Sequence, residues 1–153
     1  MSSTDIGHLE TPTGESIKPK PQIVYLGCIL SIDGSSGSEI ARRIGGAREV
    51  FGKLCLVWSH AGISIGRKLE IYNACVVSKL LYNLHSLWLS TAEARKVDAF
   101  HVKCLRKVLK IPPSYYSHIS NSSVLKQAGA RQMTSFLLAR DTAEVGGEDS
   151  QKR

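Results

Sequence analysis

No apolar run in this sequence reaches the length of about 18 residues that a membrane-spanning helix requires. The densest stretch, from Ala74 to Leu89, is interrupted by Lys79, Asn83 and His85, so a membrane span is not expected. The start, MSSTDIGHLE, has no basic segment followed by an apolar one, and no secretory signal is read there. The cysteines Cys28, Cys55, Cys75 and Cys104 contain no CxxC pair, which removes the compact chelate loop of a zinc finger or knuckle. Cys55, Cys75 and Cys104 fall within apolar helical patterns and are expected to be buried free thiols in a reducing, intracellular compartment.

Catalytic constellations are lacking too. The aspartates Asp5, Asp33, Asp98, Asp141 and Asp149 are unpaired in sequence, whereas two-metal phosphoryl transfer needs converging carboxylates on rigid elements. Neither GxxxxGK[ST] nor GxGxxG occurs, so the glycines form no phosphate loop. His101 and Cys104 make an i, i+3 pair without a third ligand, and no serine or cysteine nucleophile has an identifiable base. The chain is expected not to be an enzyme on its own, and to carry no metal or cofactor.

What is present is basic charge on a helical pattern. Twenty Lys and Arg against thirteen Asp and Glu give +7, and hydrophobic residues at 42% suffice for a core. Between Arg42 and Lys110 stand thirteen basic residues and four acidic ones, so the charge belongs to the helical part. Such a distribution suits phosphate backbones, which attract cations without sequence readout, and it equally suits a merely solvated surface.

Along the chain, residues 1–21 hold Pro12, Gly14, Pro19 and Pro21 without periodicity and read as a disordered lead-in. Residues 22–34 are rich in β-branched and aromatic types. They read as one strand, or two short strands broken at Gly27, closed by Asp33-Gly34. A three-helix module is expected over 35–111. Its first stripe is Ile40, Ile44, Ala47, Phe51, Leu54 and Trp58, with Ser36 and Glu39 as a capping box and Gly62 as a left-handed stop. Arg42, Arg43 and Lys53 lie off that stripe and are expected to face outward. The central stripe is Ile65, Leu69, Tyr72, Val76 and Leu80, capped by Ser64. The third is Ala94, Val97, His101, Cys104 or Leu105, and Val108, with Ser90 and Glu93 as a second capping box and Ile111-Pro112-Pro113 as the stop. Residues 112–140 read as a loop with Tyr115, Tyr116 and His118, then one or two short helices, the first capped by Asn121 or Ser122 and ended by Gly129. Residues 141–153 read as a disordered tail. The expected fold is mainly α: a small helical bundle preceded by a short β-hairpin or strand.

Candidate phosphate contacts are Arg42, Arg43, Lys53, Arg67, Lys68, Lys79, Arg95, Lys96, Lys103, Arg106, Lys107 and Lys110. The last six share one helix and form the best single ridge. Among the aromatics, Tyr25, Tyr72, Tyr82 and Trp88 are of the type that stacks on bases, but Phe51, Trp58, Tyr72 and Phe100 sit at packing spacings, which leaves Tyr25 and Trp88 open.

In their order, Tyr25-Leu26-Gly27, Asp33-Gly34, Ile40, Arg42, Arg43, Ile44, Ala47, Phe51 and Leu54, then Ile63-Ser64, Lys68, Ile71-Tyr72, Val76, Ser78 and Leu80-Leu81-Tyr82, then Phe100, Cys104-Leu105-Arg106, Leu109 and Ile111 resemble the segment after the catalytic palm in reverse transcriptases of non-LTR, LINE-like retrotransposons. The resemblance spans residues 22–129. It implies a primer-positioning hairpin at Tyr25, Leu26 and Gly27, and a thumb that grips template and primer. The palm's paired aspartates do not occur, so the resemblance implies a fragment of an RNA-directed DNA polymerase that cannot polymerise. Its implied partners are an RNA/DNA or DNA duplex backbone, bound weakly and without sequence preference, and the missing palm. The competing expectation is a helical protein-interaction or structural remnant that binds no nucleic acid.

Overall fold

The computed structural model describes residues 9–17, 20–82, 84, 87 and 89–138. The expected tail and the candidate aromatic Trp88 lie outside them. A small, mainly helical bundle is preceded by a short antiparallel hairpin, as the sequence pattern predicts. Within the expected lead-in, strands β1 (Leu9–Glu10) and β2 (Ser16–Ile17) pair antiparallel.

Strands β3 (Gln22–Tyr25) and β4 (Cys28–Ser31) form the hairpin, with Tyr25 opposite Cys28 and Gln22 opposite Ser31. The break falls at Leu26-Gly27, whose φ angles of 47° and 75° are both positive. That is the two-residue turn that matches strand twist, and Leu26 occupies a conformation that costs a residue with a Cβ. Only Cys28 of this hairpin is buried.

Helix α1 (Gly37–His60) runs unbroken through Gly45-Gly46. A Cβ on Gly46 would lie 3.1 Å from Lys79 Cε, so the missing side chain permits close approach of the central helix. The first expected capping box does not form. Ser36 makes no side-chain cap bond, and its hydroxyl donates to Glu93 Oε2 at 3.0 Å. Glu39 is instead fully buried and drawn to the hairpin. Nor is Gly62 left-handed; α1 ends on Ala61 in an extended conformation.

The central segment begins with Ser64, whose side chain accepts from Arg67 N, and comprises α2 (Ile65–Tyr72), a π-helical turn (Asn73–Val77) and α3 (Ser78–Leu81). Tyr72, Val76 and Leu80 are all at 0% exposure. Two successive four-residue steps drift by about 80° at 3.6 residues per turn. One wide turn takes up that drift and keeps all three on the core side. Ile65, expected in the stripe, is exposed in the first turn.

Helix α4 (Thr91–Val108) opens on the complete Ser90–Glu93 capping box. It buries Ala94, Val97, His101, Cys104, Leu105 and Val108 as its spacing predicts. It stops before the prolines act: Lys110 adopts φ 57°, and Ile111 N donates back to Arg106 O at 2.8 Å. That pair of features is a Schellman stop with lysine in the left-handed position usually taken by glycine. A helical turn α5 (Ser114–Ser117) interrupts the expected loop. Helix α6 (Asn121–Ala128) follows, capped by Ser120 rather than Asn121 or Ser122 and ended by Gly129 at φ 61°. Helix α7 (Met133–Leu138) docks on α4 through Asp98, which accepts from Met133 N at 2.6 Å and Thr134 N at 3.2 Å.

The core joins α1, the central segment and α4. Phe51 meets Trp58 and Tyr72 edge-on, with ring centroids 6.1 and 5.8 Å apart. Burying each such ring contributes about 1.5–3 kcal/mol. Of the cysteines, all free, Cys28 and Cys104 are buried and Cys55 is half-buried. Cys75, expected inside, is exposed, because it lies on the outer side of the π turn whose inner residue is Val76.

Candidate nucleic-acid interface

The expected basic residues separate into three environments. On α4, Arg95, Lys96, Lys103 and Lys107 are exposed, as is Lys110 just beyond its end. Lys96, Lys103 and Lys107 follow at steps of 7 and 4, which places them along one helix face, while Lys110 lies past the helix end in the left-handed stop. The Lys107 ammonium lies 6.0 Å from the centre of the Phe51 ring, so its stem covers the core edge while its charge stays in water.

Arg106 does not belong to that ridge. It is buried, and its guanidinium donates to Pro112 O (2.9 Å), Ile119 O (2.6 Å) and Asn121 Oδ1 (3.0 Å). These acceptors lie beyond the helix stop, where the turn at Lys110 folds the chain back over α4; helical spacing alone carries no sign of them.

Arg43, expected outside, is also buried. It donates to Glu39 Oε1 at 2.5 Å and to Gly27 O at 2.7 Å, and its guanidinium stands 4.8 Å over the Tyr82 ring. Arg42 shares both acceptors, with Glu39 Oε1 at 2.7 Å. Its side chain is 43% exposed, so part of its charge faces solvent. Burial would raise the Glu39 pKa, but the bonds from Arg42, Ile29 N and Arg43 outweigh it and hold the carboxylate below its ordinary value.

The remaining candidates are dispersed. Lys53 pairs with Glu49 at 2.7 Å and Arg67 with Glu70 at 2.6 Å, both on exposed surface. Lys68 sits 6.0 Å over the Trp58 ring, and Lys79 packs its stem on Gly46. Tyr25, Leu26 and Gly27 occupy the hairpin tip, with Tyr25 and Leu26 exposed.

Six carboxylates lie between residues 20 and 138: Asp33, Glu39, Glu49, Glu70, Glu93 and Asp98. Five are engaged away from the α4 ridge cations, whereas Glu93 stands one turn before Lys96, whose charge helps to hold its carboxylate below the ordinary value after the bonds from Ser90. Asp33 accepts from Ser35 N, Glu93 closes the Ser90 box, Asp98 holds α7, and the others are paired as above. Among the described residues no ion pair involves Arg95, Lys96, Lys103, Lys107 or Lys110. Two grooves flank the ridge. One, of about 510 Å³, lies toward α1 and is rimmed by Arg48, Lys96 and Lys103 together with the Glu93 carboxylate. The other, of about 490 Å³, lies toward residues 111–121, and Lys103 lines both.

A buried polar cluster sits beneath. Tyr72 Oη and His101 Nδ1 share a hydrogen bond of 2.8 Å, with the rings stacked 5.7 Å apart. Burial pushes the His101 pKa down to about 4, raises that of the Tyr72 phenol, and pushes the Cys104 thiol up to about 12. His101 is thus neutral and committed to packing. Among the described residues no group of three or more His, Cys, Asp or Glu side chains is placed to hold a metal ion, and no helix is long and apolar enough to cross a membrane.

Sequence reasoning passed over Tyr115 and Tyr116, which the structure leaves 69% exposed with ring centroids 4.0 Å apart. The signal was two adjacent aromatics without an apolar period around them.

No family model matches the sequence, and no curated protein or solved structure matches it either. This corrects the labels taken from the resemblance. Reverse transcriptase, non-LTR retrotransposon, LINE, thumb and transposable element have no relative behind them, and the chain is not assigned to those families.

Proposed function

We propose that this chain is a non-catalytic helical module that holds a nucleic-acid duplex by its phosphates, without reading sequence. The observation that carries the reading is the ridge of Lys96, Lys103 and Lys107 on one face of α4, exposed and without a direct ion pair, with Arg95 and Lys110 exposed nearby and Glu93 the one carboxylate coupled to it, through Lys96. Cations on a rigid helix gain affinity by releasing counterions from the duplex, and they position it without base contacts. Arg48 across the α1 groove extends the basic rim, and Arg42 adds a half-exposed charge near the hairpin. Binding of a labelled RNA/DNA hybrid and of a DNA duplex tests the reading. Both are expected to bind at low salt, weakly and alike whatever their sequence, and to be released as salt rises. Absence of binding at low salt by the folded protein refutes it.

A second reading rests on the hairpin, where Ile23, Val24, Tyr25, Leu26 and Leu30 are all exposed. A two-stranded hairpin with apolar side chains on both faces is marginal alone and gains stability by adding to another protein. Concentration-dependent self-association without any affinity for nucleic acid favours that reading over the first.

A further inference from the structure

The groove on the C-terminal side of α4 combines an apolar wall with two free cations. Val102, Ile111 and Pro113 supply the wall, and Lys103 and Lys107 the charge. Ser114, which also lines the groove, leads directly into Tyr115 and Tyr116. The tyrosine rings are exposed, adjacent and tilted 38° to one another, and they contribute nothing to the core.

Their backbone is nonetheless firmly held. Arg106 donates to Pro112 O before the tyrosines and to Ile119 O after them, so one buried guanidinium staples both ends of the segment to α4. Tyr116 N and Ser117 N both donate to Pro113 O at 3.0 Å, closing the turn itself. An exposed aromatic pair, its two rings in contact and tilted, held on a fixed base and following directly on a groove residue beside two ammonium groups, is an arrangement that receives unpaired bases: a base stacks on an outer ring face and the cations take the phosphates. A duplex offers no such faces along its length, because its bases are already stacked.

We propose that Tyr115 and Tyr116 form a stacking platform for the unpaired bases of a nucleic-acid strand, whose phosphates lie on Lys103 and Lys107. The inference rests on the reading of α4 as a phosphate-binding ridge and adds the kind of nucleic acid preferred: a duplex carrying a single-stranded overhang.

The test compares a blunt DNA duplex with the same duplex bearing a short pyrimidine overhang, by fluorescence anisotropy at fixed low salt. The overhang is expected to tighten binding about tenfold, as one stacked base provides. A Tyr115→Ala/Tyr116→Ala variant loses that gain while binding the blunt duplex unchanged. A Tyr115→Phe/Tyr116→Phe variant keeps it, because stacking needs the ring and not the hydroxyl. Helicity by circular dichroism confirms that each variant is folded. Equal affinity of the wild-type protein for both duplexes, or a gain that survives in the alanine variant, overturns the platform. A polyglutamate peptide that binds more tightly than the overhang, and does so through the tyrosines, overturns it in favour of an acidic protein partner. Binding of the overhang without any binding of the blunt duplex upholds the platform and defeats the duplex reading, so the two claims fail separately.

Discussion

Arg43 reaches from the start of α1 to the tip of the β3–β4 hairpin, where it donates to the Gly27 carbonyl at 2.7 Å while its Nε holds Glu39 at 2.5 Å. The hairpin is thereby fastened at its turn. Glu39 Oε2 adds a second tie by accepting from Ile29 N at 2.9 Å. The exposed strand residues therefore project from a fixed base, and Leu26 keeps its left-handed conformation because the adjoining carbonyl is fixed by Arg42 and Arg43.

Replacing Glu39 with Gln leaves the buried Arg43 guanidinium, and the part-exposed Arg42 beside it, without their shared carboxylate. A loss of about 3 kcal/mol in unfolding free energy is expected, because breaking a buried pair strands the other charge. Chemical denaturation measures the loss, and hydrogen exchange at the Ile29 amide is expected to speed up. Unchanged exchange there contradicts the latch.

Stability is expected to fall in mild acid because of His101. Its pKa lies near 4 in the folded chain against 6.5 in the unfolded one, burial being the cause. The unfolded state therefore binds the extra proton first. The His101 contribution is constant well above pH 6.5 and declines as pH falls towards 4, by about 3 kcal/mol at the lower limit. Nuclear magnetic resonance titration of the His101 ring checks the cause: a midpoint near 6.5 contradicts it. Glu39 and Glu93, held below the ordinary glutamate value, add a further loss only at lower pH, as each is protonated.

Arg106→Ala is expected to act on folding rather than on ligand binding. It removes the donors to Pro112 O, Ile119 O and Asn121 Oδ1, at a cost of about 2–4 kcal/mol. At a temperature where the variant is folded, the salt dependence of binding to a blunt duplex is expected to match the wild type. A weaker salt dependence places Arg106 among the phosphate contacts instead.

Alkylation by a thiol reagent is expected to modify Cys75 first and Cys55 next. Cys28 and Cys104 resist until unfolding, since both are buried and the Cys104 thiol is pushed up to about 12. Mass spectrometry of a time course reads the order, and early labelling of Cys104 contradicts the packing of α4.

The same local signal succeeded at one helix and failed at another. Ser90 and Glu93 form the capping box that their spacing predicts, whereas Ser36 and Glu39, with identical spacing, do not. The difference is tertiary: Ile29, Arg42 and Arg43 claim Glu39, and Glu93 takes the Ser36 hydroxyl. Arg43 and Arg106 escaped for a related reason. A helical wheel sorts residues by facing, but it does not show that a strand turn or a returning loop will bring carbonyl oxygens to an off-stripe arginine. The apolar stripes were legible because burial imposes a period, as Val97, His101, Cys104 and Val108 show. The exposed tyrosines were not legible because exposure imposes none.

The most direct measurement is the salt dependence of duplex binding by the wild-type protein and by a variant with Lys96, Lys103 and Lys107 replaced by Gln. These three are exposed, free of described ion pairs and aligned on α4, so the variant is expected to fold. Each phosphate contact contributes about 0.9 to the slope of log affinity against log salt, so a reduction of about 2.7 is predicted together with weaker binding at low salt. An unchanged slope in the folded variant would contradict the claim that α4 is the phosphate-binding ridge.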